Sequence, residues 1–142
     1  MTAKLSEIWL KYALDDLQSA KVLLKEGIYN MVCFHSQQAV EKLLKSFIAT
    51  HNSEIPRIHN LIRLNEICED LHGNKLNLDY EGLIFLNDVY IESRYPADFG
   101  IFPSGQPDKE EARKAYIHAK KMGTLIGPLV RRWIKQQSDQ DE

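Results

Sequence analysis

Ten small or apolar residues near the C-terminus, Ala112, Ala115, Tyr116, Ala119, Met122, Gly123, Ile126, Leu129, Val130 and Trp133, advance by 3, 1, 3, 3, 1, 3, 3, 1 and 3 positions. A backbone turning about 100° per residue gathers these positions into one stripe, whereas a strand would send neighbours to opposite faces. The pattern keeps phase through Gly127-Pro128. The spacing therefore predicts one long helix, kinked near Pro128, rather than two helices. A helix of that length with a single apolar face needs other helices to cover it, and this commits the chain to an all-α fold.

The rest of the chain supplies them. Trp9, Ala13, Leu17, Ala20 and Leu24 form the stripe of a first helix, with Ser6 in reach as its cap and Gly27 as its stop. A second helix is predicted from about Asn30 to Thr50, with Val32, Ala39, Leu43 and Phe47 inward. Pro56 closes the polar break that follows, and a short third helix from His59 or Asn60 runs to Gly73-Asn74. A fourth, about Asp79 to Ser93, ends in SRYPADFGIFPSGQP, a loop rich in Pro and Gly that retains Tyr95, Phe99, Ile101 and Phe102. Asp108 caps the last helix, with Glu110 and Glu111 in its first turn. No stretch alternates with a period of two. The expected architecture is an up-and-down antiparallel helical bundle, four core helices plus a short accessory third, in a single domain over 1–137. Residues 138–142 read as a disordered acidic tail.

Composition narrows the function classes. The net charge of −2 sets up no global field toward nucleic acid or an acidic membrane. Cys33 and Cys68 lie in apolar helical contexts without zinc-ligand spacing, so no metal and no cofactor are expected. The N-terminal stretch becomes charged too soon for a signal peptide, and no apolar run approaches the ~20 residues of a membrane span. A cytoplasmic protein without membrane contact is the expectation. Phosphate loops, H-E-x-x-H and nucleophile elbows are absent from the sequence. Asp15 and Asp16 are adjacent, so at most one of them faces inward, and a solvated or capping role suits the pair.

Few residues remain as candidates for chemistry. RKAYIH at 113–118 places Arg113 and His118 four intervening residues apart at the start of the last helix. Arg94 follows the fourth helix, Tyr95 after it can stack on a base, and His59 follows Pro56 as a cap, a packed ring or a ligand-facing group. The last helix also carries eight Lys or Arg between 108 and 135 against three acids, a pattern that a solvated face accounts for.

Four segments carry a family resemblance. WLKYALDDLQSAKVLLKEGIYN at 9–30, NMVCFHSQQAVEKLLKSFIA at 30–49, PRIHNL at 56–61 and YIESRYPADF at 90–99 are together, and in this order, similar to the HEPN (higher eukaryote and prokaryote nucleotide-binding) domain family. The likeness is greatest to small stand-alone prokaryotic members with Arg-Tyr-Pro after the fourth helix. The resemblance implies a bundle that pairs through its long helices as a homodimer. Many relatives act with a minimal nucleotidyltransferase, several of them as toxin–antitoxin pairs. Active members are metal-independent ribonucleases that use an R-x4-6-H motif near the start of the final core helix.

Arg113 and His118 match that motif, but on one regular helix they stand about 140° apart and flank the core stripe on opposite sides. Arg94 is the competing arginine, and no histidine follows it at the motif's spacing. The expectation is therefore a dimeric bundle that binds a nucleotide or RNA, or serves as accessory subunit to a minimal nucleotidyltransferase. The catalytic alternative is a metal-independent endoribonuclease toxin using Arg94 or Arg113 with His118. A non-catalytic structural adaptor is the third reading, and Arg94, Tyr95 and His59 are the ligand-binding candidates.

Overall fold

The computed structural model describes residues 2–94 and 106–141, with side chains from 3 to 91 and from 106 to 140. Five helices follow in chain order: α1 (Thr2–Glu26), α2 (Tyr29–Thr50), α3 (Leu61–His72), α4 (Tyr80–Arg94) and α5 (Lys109–Asp141). Tyr95, Phe99, Ile101 and Phe102 of the loop after α4 lie outside the described residues.

Local chemistry sets most of the boundaries. Gly27 takes φ +80°, while its N–H bonds to the Leu24 carbonyl and that of Ile28 bonds to Leu23. This pair of bonds satisfies the last carbonyls of α1 and turns the chain directly into α2. Asn60 caps α3 through its side-chain oxygen, which accepts from the N–H groups of Ile62 and Arg63, and Gly73 closes that helix in the left-handed region. Asp108 and Glu111 form a reciprocal capping box at the start of α5, each carboxylate accepting from the other's N–H. Ser6 does not cap α1. The helix already begins at Thr2, and Ser6 is buried inside it with no partner for its hydroxyl among the described residues. α5 runs as one helix past Pro128, as the stripe requires, and continues through Asp141. The stretch read as an acidic tail after residue 137 contains neither Pro nor Gly to break a helix, so the described backbone carries on in register.

α2 is the axis of the bundle and packs against all four other helices. Fifteen of its 22 residues are buried, so its surroundings rather than one amphipathic face hold it. Asp16 meets His35 and Lys42 while Trp9 meets Lys45, which makes α1 antiparallel to α2. Gly82 abuts His118 and Met122 while Phe85 contacts Lys114, so α4 runs antiparallel to α5. Leu43, Leu44, Ile48, Leu83, Leu86 and Ile126 are among the fully buried side chains. Each contributes on the order of 1.5–3 kcal/mol by leaving water. Among the described residues no helix is long and apolar enough to cross a membrane.

A polar file runs through this core. Gln37, Glu41 and Lys45 stand one turn apart on α2 and are all buried, with the Lys45 ammonium 3.0 Å from Glu41 Oε2 and 5.6 Å from the centre of the Trp9 ring. A buried ion pair is costly to form and costlier to halve. Lys45→Met alone is expected to destabilise the protein by about 3–5 kcal/mol, because Glu41 is left buried without its counter-charge. Adding Glu41→Leu should recover about half of that or more, and urea unfolding of the two variants measures both values.

Candidate functional site

Where the N-terminus of α3 meets the C-terminal half of α4, a cleft of about 240 Å³ is lined by His59, Asn60, Asn87, Tyr90 and Ile91. Asn87 is structural on one side, since its oxygen accepts the Leu61 N–H and its amide donates to Asn60 Oδ1. These two bonds lock the start of α3 to α4. On the other side the rings of Phe34, Tyr90 and His59 follow one another, with centroids 6.0 Å and 5.8 Å apart.

His59 is held by the polar file on α2. Its Nδ1 lies 2.9 Å from Glu41 Oε1, and its backbone carbonyl accepts from Gln37 Nε2 at 2.9 Å. A carboxylate only accepts, so Nδ1 carries the hydrogen and the Nε2 edge remains as an acceptor when the ring is neutral. Glu41 is 5% exposed while the His59 ring is 59% exposed, so a buried charge fixes the orientation of an open imidazole. Gln37 and Gln38 complete the set, Gln38 donating to both Gln37 Oε1 and Glu41 Oε1. Sequence reading named His59 and missed what holds it. The signal was present in the Gln37, Glu41, Lys45 spacing, three polar residues one turn apart along the central helix.

Arg94 is the last residue of α4. In sequence it follows Tyr90 and Ile91 by four and three residues. Its side chain, and the whole of Tyr95, lie outside the described residues.

The RKAYIH residues meet a different groove, of about 340 Å³, lined by Glu110, Arg113, Lys114, Ile117 and His118. Arg113 and His118 border it from two sides, and no hydrogen bond or ion pair joins them among the described residues. Arg113 is exposed, whereas the His118 side chain is only 17% exposed and wedged between α5 and α4. A Cβ on Gly82 would approach its Nδ1 to 2.8 Å, so only a glycine leaves room for this ring in its present place. Asp79 Oδ2 lies 3.7 Å from the same nitrogen and the Phe85 centroid 5.9 Å from the ring.

Asp16 turns inward to Lys42 at 2.6 Å and His35 at 2.8 Å, joining α1 to α2, while Asp15 stays outside with Lys11. The solvated role thus fits Asp15 and fails for Asp16, whose position on the inner flank of α1 meets two donors on α2. Burial pushes the Cys33 and Cys68 thiols up to about 12, so both are protonated at neutral pH and unsuited to nucleophilic or metal-binding roles. No group of three or more His, Cys, Asp or Glu among the described residues is placed to hold a metal ion.

Comparison with known proteins gives a consistent picture. The family model described as HEPN domain matches residues 6–127. A candidate toxin of Methanocaldococcus jannaschii is 33% identical over 133 residues, covering 87% of this chain and 86% of that protein. A crystal structure of a Thermus thermophilus protein superposes with TM-score 0.68 at 26% identity, over 87% of this chain and 96% of that one. That of an archaeal HEPN homologue does so with TM-score 0.64 at 22% identity, over 88% and 97%, and it bears on the fold alone.

Burial holds the His118 pKa below the ordinary imidazole range, with Lys114 and Lys121 adding to the effect and Asp79 opposing it. The unfolded chain then binds a proton at this residue more readily than the folded one does. Stability from this group is complete above about pH 6.5 and is lost as the pH falls below that value. The melting temperature of His118→Gln should therefore fall less between pH 7.5 and pH 5 than that of the wild type, as differential scanning calorimetry at the two pH values reads out.

Proposed function

This chain belongs to the HEPN domain family, and from that premise we propose that it binds a nucleotide or RNA in the cleft between α3 and α4. The observation that carries the reading is the Glu41–His59 pair, in which a buried, lysine-neutralised carboxylate orients an exposed imidazole beside Tyr90. Rings in that arrangement offer a stacking platform for a base, and the Nε2 edge of His59 offers an acceptor for a base or ribose donor. In this reading Arg94, the last residue of α4, supplies the cation for a phosphate. Within the same reading the chain works as a homodimer beside a minimal nucleotidyltransferase. The likeness to a candidate toxin supports a toxin-like role for that pair.

A second reading, metal-independent ribonuclease action, draws on one observation, the shared groove of Arg113 and His118. A neutral imidazole there can take the proton of a ribose 2′-OH while the guanidinium holds the phosphate. The wedging of His118 against Gly82 weighs on the other side, since it restricts the approach of a substrate to Nδ1.

Fluorescence anisotropy with a labelled dinucleotide tests the cleft. Tyr90→Ala and His59→Ala should each weaken binding about tenfold, as loss of one stacking partner implies, with unchanged circular dichroism. Wild-type affinity in both variants rejects the cleft. Cleavage of RNA in EDTA that disappears in His118→Ala moves the assignment to the α5 groove.

A further inference from the structure

Three adjacent basic pairs recur along α5: Arg113-Lys114, Lys120-Lys121 and Arg131-Arg132, at intervals of seven and eleven residues. Seven residues fall about 20° short of two turns and eleven overshoot three turns by about 20°. The third pair therefore returns to the azimuth of the first after five turns. That azimuth is opposite Ala115, Ala119, Met122 and Ile126, the face buried against the bundle. All six side chains are exposed, as is Lys135 one turn further on. The file spans about 33 Å of helix axis.

A solvated face that only confers solubility interleaves acids with its bases, as Lys11–Asp15 on α1 and Arg63–Glu66 on α3 do here. α5 does not. Residues 109–135 hold eight bases and two acids, leaving ten bases and eighteen acids for the rest of the chain. None of the seven outward cations is in an ion pair with a described residue, and Lys114 instead sits 4.5 Å above the Phe85 ring. In a molecule of net charge −2, residues 109–135 thus carry a net +6, eight bases less two acids.

The chemistry of the face discriminates among polyanionic partners. Docking of a folded acidic protein calls for an apolar centre in a face depleted of lysine, and here lysines and arginines dominate. Insertion into an anionic membrane surface needs the apolar side of the helix, which α5 turns into the bundle. A basic face running the length of one helix suits an extended strand of phosphates, and a single strand can follow it where the phosphates of a duplex curve away. We propose that the outward face of α5 binds the sugar–phosphate backbone of single-stranded RNA, one basic pair every two to three turns. The choice of RNA among polyanions rests on the nucleotide reading of the α3–α4 cleft, and the experiment separates the two.

Anisotropy of a labelled single-stranded RNA of about 20 nucleotides is followed against salt for wild type, Lys120→Gln/Lys121→Gln and Arg131→Gln/Arg132→Gln. Each double substitution should weaken binding at least about tenfold at low salt. It should also flatten the slope of log K against log salt by about 1.4, two phosphate contacts at about 0.7 each. Dinucleotide binding should be unchanged. Tyr90→Ala should do the reverse, weakening the dinucleotide and leaving the slope intact. Wild-type slope and affinity in both double variants, or no binding of the long RNA by the wild type, overturns the proposal. So does pelleting with phosphatidylserine vesicles that the double variants abolish while RNA binding stays. Loss of slope together with an inert cleft sustains the α5 face and discards the cleft.

Discussion

A carboxylate in the middle of the central helix sets the terms for much of this molecule. Glu41 is almost wholly buried, and a charge there persists only if donors surround it. Lys45 supplies the counter-charge from the next turn, Gln37 and Gln38 add amides, and His59 arrives from the segment that follows α2. That last bond is the one with reach. It draws residues 51–60 back along α2 and sets Asn60 where it can cap α3. α3 in turn is tied to α4 through Asn87. Satisfying one buried charge therefore fixes the position of two helices and opens a cleft between them.

Two histidines show how environment separates residues that look alike in a sequence. His118 carries the motif match but is pinned between helices, facing a glycine and kept short of charge by burial. His59 belongs to no catalytic motif, yet its ring is open and its orientation is imposed from beneath. An exposed group with a buried support is the arrangement by which a fold presents a ligand contact without leaving its direction to chance. Asp16, with both oxygens engaged and little exposure, is a joint between α1 and α2 instead.

The helices were legible because their signals are local. The stripe in α5, Gly27, Gly73 and the Asp108 cap each act within one or two turns, and the structure places α5 as one helix through Pro128. Ser6 and Asp16 were misjudged because both depend on which neighbour a helix meets, information that no single segment contains. The same holds for the cleft. His59 was visible as a residue, but its link to Glu41 spans 18 positions and its neighbour Tyr90 comes from another helix. Spacing on one helix gave the angle between Arg113 and His118 but not the packing of α4 that wedges one of them.

The repeat of basic pairs on α5 shares its five-turn closure with the apolar stripe on the opposite face. Both patterns are written on the same 3.6-residue clock. Inserting or deleting a single residue within the helix would rotate everything downstream by about 100°, swinging cations toward the core and alanines toward water in one step. The helix is in that sense fixed in length. Its charge can be tuned one substitution at a time, while the distance between its two ends is dictated by the core it closes.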